Sequence, residues 1–92
     1  MIAPKDSSLP RLAQGCRLSI HQGSSIVLYP EGMIRLDRTA QDILRLCNGQ
    51  HTLEQILAIL AQRYTGANPV QMREDVGSFL GKLKDKRIVD YE

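Results

Sequence analysis

The sequence predicts an α+β fold, a three-stranded antiparallel meander followed by a three-helix bundle, winged-helix-like in its order. Three observations predict it. Short β-prone runs separated by turn clusters occupy residues 17–36, apolar residues at helical spacing occupy the stretch beyond Asp37, and the two patterns do not alternate. Segregated strands and helices argue for a sheet covered on one face rather than for a parallel βαβ fold. At 92 residues the chain makes one domain with a thin core.

The elements follow in chain order. Residues 1–15 hold Pro4, Pro10, Ser7 and Ser8 and are expected as a flexible N-terminal arm, leaving 16–92 as the single folded domain. Ile2, Leu9 and Leu12 give the arm the means to dock on the body or on a second copy. Leu18 and Ile20 alternate with polar neighbours, as in a half-buried strand. Gln22-Gly23-Ser24-Ser25 is a turn cluster, and Ile26-Val27-Leu28-Tyr29 is the second strand. Tyr29-Pro30-Glu31-Gly32 suits a type I turn, with proline second and glycine fourth, and Met33–Leu36 is the third strand.

Asp37 caps a first helix whose apolar positions are Ala40, Ile43, Leu44 and Cys47, and Asn48-Gly49 stops it. Thr52 and Gln55 match a capping box for a second helix, with Leu53, Ile56, Leu57, Leu60 and Tyr64 on one face. Thr65–Pro69 breaks the chain, and Val70–Glu74 is placed in the turn before a third helix marked by Met72, Val76, Phe79, Leu80 and Leu83. Ile88-Val89 is a short terminal strand or a packed tail.

Composition limits the function classes. A net charge of +2 is a weak signal for nucleic acid, which demands a concentrated basic face. Two cysteines suggest free thiols in a reducing compartment rather than a disulfide framework. No apolar run reaches the length of a signal peptide core or a membrane span, so a cytoplasmic location is expected. Cys47-x-x-x-His51 has zinc-like spacing, but Cys16 and His21 point to opposite faces of a strand and Cys47 continues an apolar stripe. No nucleophile elbow and no phosphate-binding loop occur, so neither an enzyme nor a cofactor is expected.

Gly77 and Gly81 lie one turn apart inside an otherwise strong helix, each costing about 1 kcal/mol relative to alanine. Either a neighbouring element packs closely there, or a foreign backbone does. Lys82, Lys84, Lys86 and Arg87 sit near that helix's C-terminus, where cations are favourable. The competing function is a winged helix on DNA, but Glu74 and Asp75 near the would-be recognition turn oppose phosphate.

Leu28-Tyr29-Pro30-Glu31-Gly32-Met33-Ile34-Arg35-Leu36 is the most specific run in the chain. With Thr39-Ala40, Ile43-Leu44, Leu46-Cys47-Asn48-Gly49, Thr52, Ile56, Leu60, Asp75-Val76 and Phe79-Leu80, it resembles the PqqD family of pyrroloquinoline quinone (PQQ) biosynthesis over residues 9–89. The resemblance implies a non-enzymatic peptide chaperone, a RiPP recognition element. It would bind the precursor peptide PqqA and present it to the radical S-adenosylmethionine enzyme PqqE. In such modules the leader adds as a strand to the third strand, beside the third helix. The expected peptide-binding residues are therefore Met33, Ile34, Arg35 and Leu36 on the strand and Arg73, Val76, Gly77, Leu80, Gly81 and Lys84 on the helix. A homodimer through the arm or the sheet edge is the further expectation.

Overall fold

The computed structural model describes residues 2–92. Its strands are β1 (Arg11–Leu12), β2 (Arg17–His21), β3 (Ser24–Tyr29), β4 (Gly32–Arg35) and β5 (Val89–Asp90), and its helices are α1 (Arg38–Leu46), α2 (Leu53–Arg63) and α3 (Pro69–Asp85). The expected meander is present as the antiparallel sheet β2-β3-β4, and β1 pairs with β5 in a separate two-stranded ribbon.

Local chemistry fixes the joints. Gln22 and Gly23 both have positive φ, 52° and 79°, so β2 and β3 are joined by two residues only. A turn of that hand matches the strands' natural twist, and Ser24 and Ser25 are released into β3. The Asp37 side chain accepts the Ala40 N–H at 2.8 Å and caps α1. Thr52 and Gln55 cap α2 reciprocally, at 3.1 and 2.9 Å. Asn68 caps α3 with Pro69 at its first position. Val70–Glu74, expected in the turn, consequently forms the start of α3. At the other end the Ile88 N–H reaches the Leu83 carbonyl and the Arg87 N–H the Lys84 carbonyl, a Schellman closure with Arg87 at φ 60°.

The N-terminal segment takes the docked alternative. The carbonyls of Asp6, Ser8 and Pro10 accept the N–H groups of Glu54, Leu53 and Gly49, and β1 pairs with β5. Ser8 is buried, and its hydroxyl donates to the carbonyl of Glu92. Leu12 packs against the core, whereas Ile2 and Leu9 stay exposed. The physical reason is pairing: β1 satisfies the edge of β5, and the carbonyls just before it satisfy the first N–H groups of α2.

One core joins the sheet to the helices. Val27, Leu44, Leu53, Ile56, Leu60 and Leu80 are all at or below 2% exposure within a single cluster, which Ile88, Val89 and Tyr91 close from the C-terminus. Leu18, Tyr29, Ile34 and Leu36 pack against it from one face of the sheet.

Candidate functional site

β4 is an edge strand, and its hydrogen-bonding direction can be derived. It pairs with β3 as Tyr29↔Gly32, Leu28↔Met33, Val27↔Ile34 and Ile26↔Arg35, and the Leu36 N–H donates to the Ser25 carbonyl. Antiparallel ladders alternate bonded and non-bonded pairs. Leu36, Ile34 and Gly32 therefore direct their backbone groups inward to β3, and Met33 and Arg35 direct theirs outward. The side chains alternate with them. Ile34 lies on the core face opposite the fully buried Val27, while Met33 and Arg35 are exposed. The site thus offers two outward N–H groups and two outward carbonyls on a strand with one anchored face.

α3 has a buried ridge and two unlike flanks. Val76, Leu80 and Leu83 form the ridge. With roughly 100° per residue, Arg73, Gly77, Gly81 and Lys84 fall on one side of it and Met72, Asp75 and Phe79 on the other. On the first flank the guanidinium of Arg73 pairs with Asp6. Lys84 Nζ donates to Asp90 at 3.1 Å and to the Tyr91 carbonyl at 2.7 Å, and stands 4.6 Å above the Tyr91 ring. The Tyr91 hydroxyl donates to the Ile2 carbonyl, so both chain ends are tied along this flank. Gly77 and Gly81 are buried between these contacts. A Cβ added at Gly77 would nevertheless meet no heavy atom within 4 Å, so close packing does not explain that glycine.

The second flank borders a groove of about 420 Å³. Met72, Val76 and Phe79 supply its α3 wall, Ala40 and Ile43 its α1 wall, and Leu60 and Tyr64 the end of α2. Asp37 and Thr39, just beyond the C-terminal end of β4, stand at its mouth. The Tyr64 hydroxyl donates to Asp42 at 2.6 Å, and Asp42 also pairs with Arg63, which pins this corner.

The ten expected site residues therefore do not share one surface. Met33 and Arg35 lie on the open strand edge, Ile34 and Leu36 turn to the core side, and Val76 and Leu80 form the buried ridge. Arg73 and Lys84 are engaged by the chain's own acids, beside Gly77 and Gly81. Met72 and Phe79, expected only as apolar positions of the third helix, line the groove. The legible signal was the stripe's width: Met72, Val76 and Phe79 together with Leu80 and Leu83 span more surface than the core covers, and Met72 and Phe79 stay half-buried.

Residues 24–89 match the family model described as Coenzyme PQQ synthesis protein D (PqqD). The chain belongs to the PqqD family. Among curated PqqD relatives, a "PqqA binding protein" of Methylococcus capsulatus is 43% identical over 68 residues, spanning 72% of each chain. One of the same description from Kluyvera intermedia is 40% identical over 78 residues, or 83% of each chain. The "Bifunctional coenzyme PQQ synthesis protein C/D" of Methylorubrum extorquens is 35% identical over 86 residues, which are 91% of this chain but 23% of that one. The solution structure of the PqqD portion of Methylobacterium extorquens PqqCD, described as a functional, stand-alone RiPP recognition element, superposes with a TM-score of 0.79. It is 34% identical and covers 96% of this chain and 95% of its own. The stretch matched to the PqqD model runs from β3 into β5, so it contains both β4 and the groove.

Burial pushes the Cys47 thiol up to about 12, and that thiol donates to the Ile43 carbonyl inside the core. Cys16, partly exposed, is also raised by desolvation. On the flank of α3 that carries Lys84, the hydrogen bond from Lys84 holds the Asp90 carboxyl below its usual range. Among the described residues no three His, Cys, Asp or Glu side chains cluster in a way that could hold a metal ion, and no helix is long and apolar enough to cross a membrane.

Proposed function

We propose that this chain is a RiPP recognition element that binds the precursor peptide PqqA as an added strand on β4. The observation that carries the reading is the outward-facing backbone of Met33 and Arg35 beside an open apolar groove. Strand addition draws affinity from main-chain hydrogen bonds and specificity from the side-chain pockets next to them. The reading agrees with relatives described as PqqA binding proteins and with a solved neighbour described as a recognition element. The protein itself performs no chemistry. It hands the peptide to the radical S-adenosylmethionine enzyme PqqE, raising the local substrate concentration there.

The duplex-binding alternative fares worse. The N-terminal half of α3, where base-reading residues would sit, carries Glu74 and Asp75 beside an Arg73 already paired with Asp6, and among the described residues the only charged side chains lining the adjoining groove are Asp37 and Asp75. Calorimetric titration separates the two readings. PqqA should give saturable binding that a scrambled peptide does not, and a generic DNA duplex at low salt should give none. Duplex binding that weakens steeply with salt, in the absence of PqqA binding, would reverse the assignment.

A further inference from the structure

The charged side chains among the described residues that line the groove are of one sign in a chain whose net charge is +2. Among the described residues no lysine, arginine or histidine lines it, whereas Asp37 and Asp75 both do. Each carboxylate spends one oxygen within its own helix: Asp37 Oδ1 on the Ala40 N–H, and Asp75 Oδ1 on the Gln71 amide at 2.9 Å. Among the described residues neither takes part in an ion pair, while Asp6, Asp42 and Asp90 are all paired with a cation. The second oxygen of each rim carboxylate therefore remains able to accept. The α1 N-terminus offsets roughly half of the charge on Asp37. Asp75 lies beyond the first turn of α3 and keeps its charge, so the groove is net negative over an apolar floor.

We propose that the groove beyond β4 reads a segment pairing an apolar side chain with an adjacent lysine or arginine, the apolar group seated against Met72, Val76 and Phe79 and the cation held by Asp37 and Asp75. This deepens the peptide-binding reading above and rests on it. It also relocates the charge recognition. Arg73 and Lys84 would suit an acidic peptide, but Asp6 and Asp90 already occupy them. The charged side chains that line the groove are acidic, Asp37 and Asp75, and Asp37 stands directly past the strand to which a peptide would add. A peptide strand running past Arg35 brings its next residues to the Asp37 side of the groove.

The test uses the full chain and PqqA, titrated at low and moderate salt. Asp37→Asn keeps a good helix cap, and Asp75→Asn keeps the bond from Gln71, so the double variant should melt as the parent does. Its affinity for PqqA should fall about fivefold at low salt, the size of two partly exposed charge pairs, and the salt dependence should flatten. Among PqqA variants with single Lys→Gln or Arg→Gln changes, one should lose the same factor against the parent and nothing further against the double variant. Undiminished or tighter binding by the double variant overturns the rim. Arg35→Pro, compared with Arg35→Gln, reports separately on strand addition, because it removes an outward N–H without touching the ladder to β3. If Arg35→Pro abolishes binding while the double variant does not weaken it, the peptide reading stands and the cation reading falls. If Arg35→Pro leaves binding intact, strand addition on β4 itself falls.

Discussion

On one flank of α3, the one that carries Gly77 and Gly81, Arg73 and Lys84 are bound to Asp6 and Asp90, and Tyr91 is tied to Ile2. On the other, Met72, Asp75 and Phe79 border a groove with nothing laid over it. The same helix thus carries an internally satisfied side and an unsatisfied one. Cationic residues beside glycines look like a recognition surface in sequence, and in the fold two of them hold the chain's own acids. Half-buried apolar residues look like ordinary core margin in sequence, and in the fold Met72 and Phe79 line a groove. In a domain this small, a charge whose partner is distant in sequence says little until that partner has been placed.

Substitutions separate the two flanks of α3. The largest effect should come from the ridge both flanks share: Leu80→Ala, at 0% exposure, should cost about 4 kcal/mol in denaturant unfolding and degrade both sides together. Next is the closed flank alone. Tyr91→Ala empties a buried aromatic site and should cost about 3 kcal/mol, while peptide affinity at temperatures well below the melt stays unchanged. A parallel loss of affinity would mean that the ends belong to the binding surface.

Gly77→Ala is expected to work in the opposite direction. The new methyl group meets no atom within 4 Å, so the variant should gain about 1 kcal/mol from helix propensity. Its PqqA affinity should match the parent's. A stabilised protein that has lost affinity would move the peptide to the glycine flank. Arg87→Gly should gain roughly 0.5–1 kcal/mol, because glycine suits the positive φ that closes α3.

The smallest effect concerns pH. The Asp90 carboxyl is held below its ordinary value, first by the hydrogen bond from Lys84. Its contribution to stability is therefore complete above the ordinary carboxylate range and is lost as pH falls through the lowered value. Asp90→Asn should slightly reduce the acid dependence of the melting temperature and leave neutral-pH peptide binding unaltered. An unchanged acid dependence would remove Asp90 from the clamp.

Legibility in the sequence followed the range of the interactions. The meander, the three helices and the caps at Asp37 and Thr52 depend on residues within a few positions of each other, and their spacing revealed them. The strand Met33–Leu36 was legible for the same reason, although its outward-facing pair follows only once the register is known. The partners of the α3 side chains were not. Whether Arg73 faces a ligand or Asp6 is decided across 67 positions, and the clamp joining Ser8 to Glu92 spans 84. The family resemblance rested on local runs such as Tyr29–Leu36, and the match over residues 24–89 bears it out. The docking of residues 6–12 had no local signal beyond Leu12, because most of its bonds are backbone groups that any sequence carries.

Amide exchange of the full chain with and without PqqA, followed residue by residue by NMR, addresses the strand edge most directly. Met33 and Arg35 present their N–H groups outward and should exchange rapidly in the free protein, while Ile34 and Leu36, bonded to β3, should already be protected. PqqA should slow exchange at Met33 and Arg35 and shift Met72, Asp75 and Phe79, leaving Arg73, Gly77 and Lys84 nearly unmoved. Protection confined to the Arg73–Lys84 flank, with Met33 and Arg35 still exchanging freely, would contradict it.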